Sequence, residues 1–231
     1  MAARAIAICV NKMSALCRII RVLIVGVPGS GKGTIASRIV QSFGLLHLSS
    51  GDLIRAQIAK ASEFGREAEC FVQQGHLVSD DLVVKLVLNE LEGNRERSWL
   101  LDGFPRTVQQ AKKLDAHYDL TSVFHLNVPT EEILRRIAER WIHPGSGRVY
   151  NLSYNPPKIH GRDDVTGERL EQREDDSRET VLQRLRGYDA VTAPLLDYYS
   201  KRKLLVTFTG VETDVIWPQV EKCIRDSLLQ K

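Results

Sequence analysis

The stretch Arg21-Val22-Leu23-Ile24-Val25-Gly26-Val27-Pro28-Gly29-Ser30-Gly31-Lys32-Gly33-Thr34 decides the fold. Its apolar, β-branched start reads as a buried strand, and a glycine-rich turn follows. Glycines let the backbone curl with its N–H groups pointing inward, which makes a nest for phosphate oxygens. The next helix adds the positive end of its dipole, and Lys32 adds a full charge. A tight turn alone needs neither three glycines nor a lysine. The P-loop pattern has Ser or Thr directly after the lysine, whereas here Gly33 intervenes before Thr34.

Working outward, strand-like and helix-like stretches alternate from residue 20. A strand at 22–25 leads to a helix at 31–43, then a short strand at 45–48 runs into Ser49-Ser50-Gly51-Asp52. Helical patterns follow at 53–61 and 63–74. Ser79, with Asp80 and Asp81 in the first turn, opens another helix. Trp99-Leu100-Leu101 is a strand ending at Asp102; 107–117 is a helix, 122–128 a strand, and Thr130 caps a helix to Trp141. Residues 142–176 break the rhythm with Gly, Pro, Asn, Asp and Arg, as a lid or insert does. A long helix at 179–200, a strand at 204–208 and a helix after Thr213, with Pro218 in its first turn, complete the chain. The pattern predicts an α/β fold: a P-loop-type five-stranded parallel sheet with helices on both faces.

Composition narrows the function classes. At 231 residues with 43% apolar content the chain builds one main domain with inserts. A net charge of +3, with basic residues scattered through motif positions, predicts no nucleic-acid surface. The four cysteines, Cys9, Cys17, Cys70 and Cys223, form no CxxC pair, against a disulfide framework or a structural zinc site. No apolar run is long enough to span a bilayer, so no membrane partner is expected. No acid precedes Asp52, while Arg4, Lys12 and Arg18 lie in an Ala/Ile/Val-rich stretch compatible with a mitochondrial transit peptide. The plainer readings are a disordered tail, or an extension over residues 1–12 upstream of a start at Met13.

A second signal is Trp99-Leu-Leu-Asp102-Gly103-Phe-Pro-Arg106-Thr. An acid at the C-terminal end of a hydrophobic strand sits where α/β sheets place ligand groups, and beside a P-loop it orients Mg²⁺ through water. Glycine and proline fix the turn that projects Arg106. Arg55, Arg140, Arg173 and Arg184 join it. Each alone reads as a solvated surface charge; attached to a P-loop they read as a phosphate cage, since guanidinium forks hold phosphate oxygens bidentately.

The motifs GVPGSGKGT, SSGDLIR, LLDGFPRT, RWIHPGSGRVYN and QREDD…ET…RL, in this order, resemble the adenylate kinase family in its long-lid form. The Gly-Lys-Gly-Thr loop is that of the nucleoside monophosphate kinases. The segment 204–218, Asp52 and Gln172-Arg173-Glu174 resemble the isoform 3-like, mitochondrial branch that uses GTP as donor. The resemblance implies transfer of the γ-phosphoryl group of GTP, or of ATP or ITP, to AMP, with Mg²⁺ carried by the triphosphate. It implies a monomer in the mitochondrial matrix, the cytoplasm being the alternative. It also divides the chain into an extension at 1–18, a core at 19–48, 79–138 and 177–225, an AMP-binding subdomain at 49–78 and a lid at 139–176.

Residue roles carry over the same way. Gly29, Ser30, Gly31, Lys32, Gly33 and Thr34 would cradle the donor triphosphate, Arg140 and Tyr150 would clamp it from the lid, and Thr213 would meet its base. Ser50, Arg55, His76, Leu77, Val78, Gly103, Arg106 and Gln110 would hold AMP. Arg173 and Arg184 would bridge the phosphates. Lys32, Arg106, Arg140, Arg173 and Arg184 are the catalytic set. Where some relatives bind zinc in the lid, this chain has His143, Ser146, Asp163 and Thr166, which suit a hydrogen-bonded cluster better than metal, so no zinc is expected. The competing readings are a UMP or CMP kinase, opposed by the long lid, and an inactive nucleotide-binding module, opposed by the intact Lys32, Asp102 and arginines.

Overall fold

The computed structural model describes residues 19–74, 76, 78–173 and 176–228. The extension at 1–18, read above as a targeting segment, lies outside the described residues. The strands are β1 (Arg21–Val25), β2 (Leu46–Ser49), β3 (Trp99–Asp102), β4 (Ser122–Asn127), β5 (Arg140–Ile142), β6 (Val149–Asn151) and β7 (Leu205–Thr209). The α-helices are α1 (Lys32–Phe43), α2 (Ser50–Ala59), α3 (Glu63–Gln73), α4 (Asp80–Glu92), α5 (Val108–Asp115), α6 (Thr130–Ala138), α7 (Arg178–Lys201) and α8 (Thr213–Cys223). A five-stranded sheet in the order β2-β3-β1-β4-β7 pairs in parallel throughout, as the alternation predicts.

Both faces of this sheet are covered, and the residues divide between them with the strand period of two. Val22, Ile24, Leu100, Phe124 and Leu126 pack with Ile35, Ile39, Ile133 and Val220 of α1, α6 and α8. Leu23, Val25, Trp99, Leu101 and Val123 pack on the other side with Val84, Val87, Leu114 and Leu195 of α4, α5 and α7. β1 is almost wholly dry, so its position is fixed from both faces. All strands point the same way, so Val25, Ser49 and Asp102 end at one edge of the sheet. The turn after β1, Ser50 and Gly103 lie along that edge, where open α/β sheets bind ligands.

Two inserts leave this frame. α2 and α3 follow β2 as a pair in very close contact: a Cβ on Gly65 of α3 would lie 2.1 Å from the Gln57 carbonyl of α2. β5 and β6 form a separate two-stranded antiparallel ribbon.

Three local expectations need correction. The helix beginning at Thr130 stops at Ala138, and Trp141 is a strand residue paired with Tyr150. Ile142 also exchanges two backbone hydrogen bonds of 2.8 Å with Glu171, so pairing distant in sequence overrides the local helical period. Pro218 stands in the second turn of α8, not the first. The helix runs on through it to Cys223, and the Gln219 side-chain amide donates to the Val215 carbonyl at 2.9 Å. Finally, α2 begins at Ser50, because the Ser49 hydroxyl accepts from the Asp52 N–H at 3.2 Å and caps the helix.

Candidate active site

The turn between β1 and α1 has the curvature its glycines permit. Gly29 and Gly31 take φ of 82° and 86°, a left-handed conformation that costs other residues a steric clash. α1 carries no acid in its first turn, so its positive end is left for an anion. Ser30 is 1% exposed, and its Oγ is buried without a hydrogen-bond partner among the described residues. A buried hydroxyl left over inside a nest of N–H groups is what a phosphate oxygen would satisfy.

Lys32 curls back over the turn, its ammonium donating to the Gly26 and Val27 carbonyls at 2.8 Å each. Burial lowers its pKa from 10.5 to about 8; Asp102 opposes the shift, while Arg106, Arg140 and Arg173 add to it. Four cationic side chains therefore share one electrostatic field around Lys32. Asp102, at the end of β3, has a side chain only 13% exposed and lies 3.9 Å from His47 Nε2 on neighbouring β2. It is the carboxylate of this cation-rich site, and so fits a hydrated divalent ion brought by a polyphosphate.

On the β2 side, a Cβ on Gly103 would lie 2.8 Å from the Ser50 hydroxyl and 3.5 Å from an Arg106 guanidinium nitrogen. Ser50, Gly103 and Arg106 thus meet at one point. Arg106 Nε donates to the Gly103 carbonyl at 2.9 Å. Gln110 is buried and fixes this turn: its amide oxygen accepts the Arg106 N–H at 2.7 Å, and its amide nitrogen donates to Asp80 at 2.7 Å. Thr107 donates to the same carboxylate at 2.6 Å. Arg55 pairs with Asp52. Burial alone would raise the Asp52 pKa, but the Arg55 charge and hydrogen bond hold it below the usual range. His76 Nε2 meets the Gln183 amide at 2.6 Å, one residue before Arg184 on α7. Val78 is buried beside them in sequence. Leu77, named for the AMP site, and Gly75 lie outside the described residues.

The donor-base segment comes to the P-loop. Thr213 is 5% exposed, and a Cβ on Gly31 would lie 3.3 Å from its hydroxyl. The same point is 3.5 Å from Arg136 Nη1. Sequence reasoning missed Arg136, whose guanidinium also donates to the Val211 carbonyl and, at 2.9 Å, to Glu132. Its position one helical turn before Arg140 was the available signal.

Arg140 is engaged by Asp176, its Nε donating to Oδ2 at 2.7 Å with a second contact from Nη2. Tyr150 is not free to reach outward through its hydroxyl: that group donates to Asp163 at 2.8 Å and accepts the Asp164 N–H at 2.9 Å. His143, Ser146, Asp163 and Thr166 are hydrogen-bonded to one another, with His143 Nδ1 and Ser146 Oγ at 2.7 Å and Thr166 donating to Asp163 at 3.0 Å. Arg148, bound to Asp163 at 2.8 and 2.6 Å, and Glu168, against His143 Nε2, complete the cluster and were missed.

A phosphate nest with its lysine, a carboxylate at the strand end and arginines from several elements define a P-loop phosphotransferase. A profile described as adenylate kinase matches residues 24–204. The chain is 44% identical over 211 residues to a protein of Drosophila melanogaster named GTP:AMP phosphotransferase, mitochondrial, covering 91% of this chain and 98% of that one. It is 43% identical over 220 residues to the protein of the same name from Saccharomyces cerevisiae, covering 91% of this chain and 94% of that one. The chain belongs to the adenylate kinase family.

Proposed function

We propose that this enzyme transfers the γ-phosphoryl group of a nucleoside triphosphate, GTP in preference to ATP, to AMP, giving ADP. Support for the donor comes from the names of the two relatives and from the Thr213 segment against the P-loop. The observation that carries the reading is the convergence of Arg106, Arg140 and Arg173 on the field of Lys32. Such a density of positive charge attracts the oxygens of several phosphates.

The acceptor is an AMP phosphate oxygen, already anionic at neutral pH, so no general base is required. Residues 29–34 would cradle the donor phosphates, and Lys32 would leave its two carbonyls for the transferring group. Arg106 and Arg55, with Ser50 and Gly103, would hold AMP. Arg173 and Arg184 would neutralise charge between the two nucleotides in a loose transition state. Asp102 would hold Mg²⁺ through its waters, and the ion would supply charge neutralisation on the donor phosphates. Residues 49–78 and 139–176 would close on the core and exclude water, which otherwise hydrolyses the triphosphate.

We infer a mitochondrial matrix location from the relatives' names and from the basic composition ahead of Asp52, and a monomeric state. A fluorescent fusion of the full chain and sedimentation equilibrium test these two points. The activity is tested by a coupled assay for ADP from AMP plus triphosphate. ADP formation must require AMP and must collapse in Lys32→Ala, because losing a preorganised charge costs ~10²–10³ in rate. Triphosphate consumption without AMP, or turnover within tenfold of the parent in folded Lys32→Ala, would overturn the assignment.

A further inference from the structure

In the insert between β6 and α7, two arginines that the reaction does not use are held opposite each other. Arg162 and Arg169 face each other as partners of an isolated antiparallel bridge. Directly opposed residues have Cβ atoms about 5 Å apart, and like charges there are destabilising. The backbone gives them no escape. Asp163 N–H donates to the Glu168 carbonyl at 2.8 Å, Leu170 N–H to Gly161 at 2.9 Å, and Gly167 N–H to Asp163 at 2.9 Å. The Asp163 carboxylate pins the turn from inside by accepting the Val165 and Thr166 N–H groups at 3.1 and 2.8 Å. The register that opposes the arginines is thus set by a buried network and not by the arginines themselves.

Arg162, Arg169 and the neighbouring His160 make no ion pair among the described residues, although surface arginines elsewhere in this chain find Glu or Asp partners. Of the nearby acids, Asp163 pairs with Arg148 and Glu168 with His143, while Asp164 accepts the Lys158 N–H at 2.8 Å and lines a neighbouring cleft with Arg162 without ion-pairing to it. Arg162 spends one N–H on the Gly167 carbonyl at 2.9 Å, which orients its fork and leaves its other donors open. His160, Gly161, Arg162 and Arg169 line a cleft of about 380 Å³, room for a phosphate group with its neighbours.

We propose that this cleft is a binding site for a phosphate-bearing anion, separate from the nucleotide site, with Arg162 and Arg169 as the paired donors and His160 at its rim. The Arg162 fork, oriented by the Gly167 carbonyl, and the Arg169 fork opposite it on the bridge can together meet the tetrahedral oxygens of a phosphoryl group. The anion relieves the cross-strand repulsion, so binding stiffens the ribbon it sits on. Free polyphosphates and phosphomonoester lipid headgroups share this chemistry.

The test fills the nucleotide site with a dinucleoside pentaphosphate, so that the P-loop cannot take up the probe. Inorganic pyrophosphate is then titrated while the Nε–H resonances of Arg162 and Arg169 are followed by NMR. A parallel arm measures sedimentation with phosphatidylcholine vesicles, with and without phosphatidic acid. Saturable shifts of both resonances, with affinity reduced by roughly tenfold or more in Arg162→Gln/Arg169→Gln, support a free-anion site. Binding only to phosphatidic acid vesicles, lost in the same variant, supports the site with a lipid headgroup as its occupant. The variant should retain full phosphoryl transfer, which certifies its fold. No binding in either arm, or equal binding by the variant, overturns the proposal.

Discussion

Arg140 is held at two points by Asp176, at 2.7 Å through Nε and by a second contact through Nη2, with the Asp176 side chain only 5% exposed. The carboxylate occupies the face of the fork that a phosphate would take. Asp176→Asn keeps the shape and removes the charge, leaving Arg140 uncompensated in the ligand-free protein. The ligand-free enzyme should lose ~1–3 kcal/mol of stability. A donor then regains what the carboxylate supplied, so the donor KM should fall by about fivefold, the equivalent of ~1 kcal/mol. Thermal melts with and without triphosphate check both halves: the ligand-free Tm drops and the donor-induced rise grows. An unchanged donor-induced rise would mean Asp176 does not compete with the donor.

Arg106 and Arg140 come from different elements, one in the turn after β3 beside Ser50 and Gly103, the other opening β5. Arg106→Ala should raise the KM for AMP and lower kcat while barely changing the donor KM. Arg140→Ala should do the reverse in binding. Each loses a charge-assisted contact of ~1.5–3 kcal/mol, a ten- to hundredfold effect. Initial rates over a grid of both substrates decide it, and two variants weakened toward the same substrate would refute the division of the site.

Much of this was legible in the sequence because the signals were local. The β1 run, the glycines and Lys32 are contiguous, and Trp99–Asp102 ends in its acid within four residues. What escaped depended on contacts between distant segments. Trp141 has helical spacing from Thr130, yet Ile142 is claimed by Glu171. Arg136 reads as one more exposed helix charge until the fold brings the Val211 carbonyl to it. Tyr150 follows a lid motif, but burial turns its hydroxyl inward to Asp163, where Arg148 also arrives. No spacing rule announces such a network.

Gly65 offers a stability test of the α2–α3 pair. In an exposed helix, Gly→Ala stabilises by ~1 kcal/mol. Here the added methyl would meet the Gln57 carbonyl at 2.1 Å, a backbone atom that cannot rotate away. Gly65→Ala should instead destabilise by ~2–3 kcal/mol and loosen the pair. Urea melts measure the first. Limited proteolysis between 50 and 78 measures the second, and a stabilised variant would contradict the packing described.

The Lys32 amine, lowered to about 8 by burial against the neighbouring arginines, sets a pH dependence. In the ligand-free fold it binds fewer protons than in the unfolded chain between about 8 and 10.5, so its contribution to stability rises with pH across that window. Donor phosphates favour the charged form and oppose this. Donor binding should therefore take up a proton above pH 8 and weaken as pH climbs further. Calorimetry at pH 8.5 in buffers of different ionisation enthalpy reads the proton directly. No uptake would place the lysine fully charged before the donor arrives.

The central claim is donor-specific transfer to AMP, and the most direct measurement is kcat/KM for GTP and for ATP at one fixed AMP concentration, following ADP formed from AMP. The Thr213 hydroxyl beside the P-loop can donate to a purine 6-oxo group, a contact worth ~1–2 kcal/mol. Arg136 holds this segment through the Val211 carbonyl. We expect GTP to exceed ATP by roughly tenfold. Equal or higher efficiency with ATP would contradict the account.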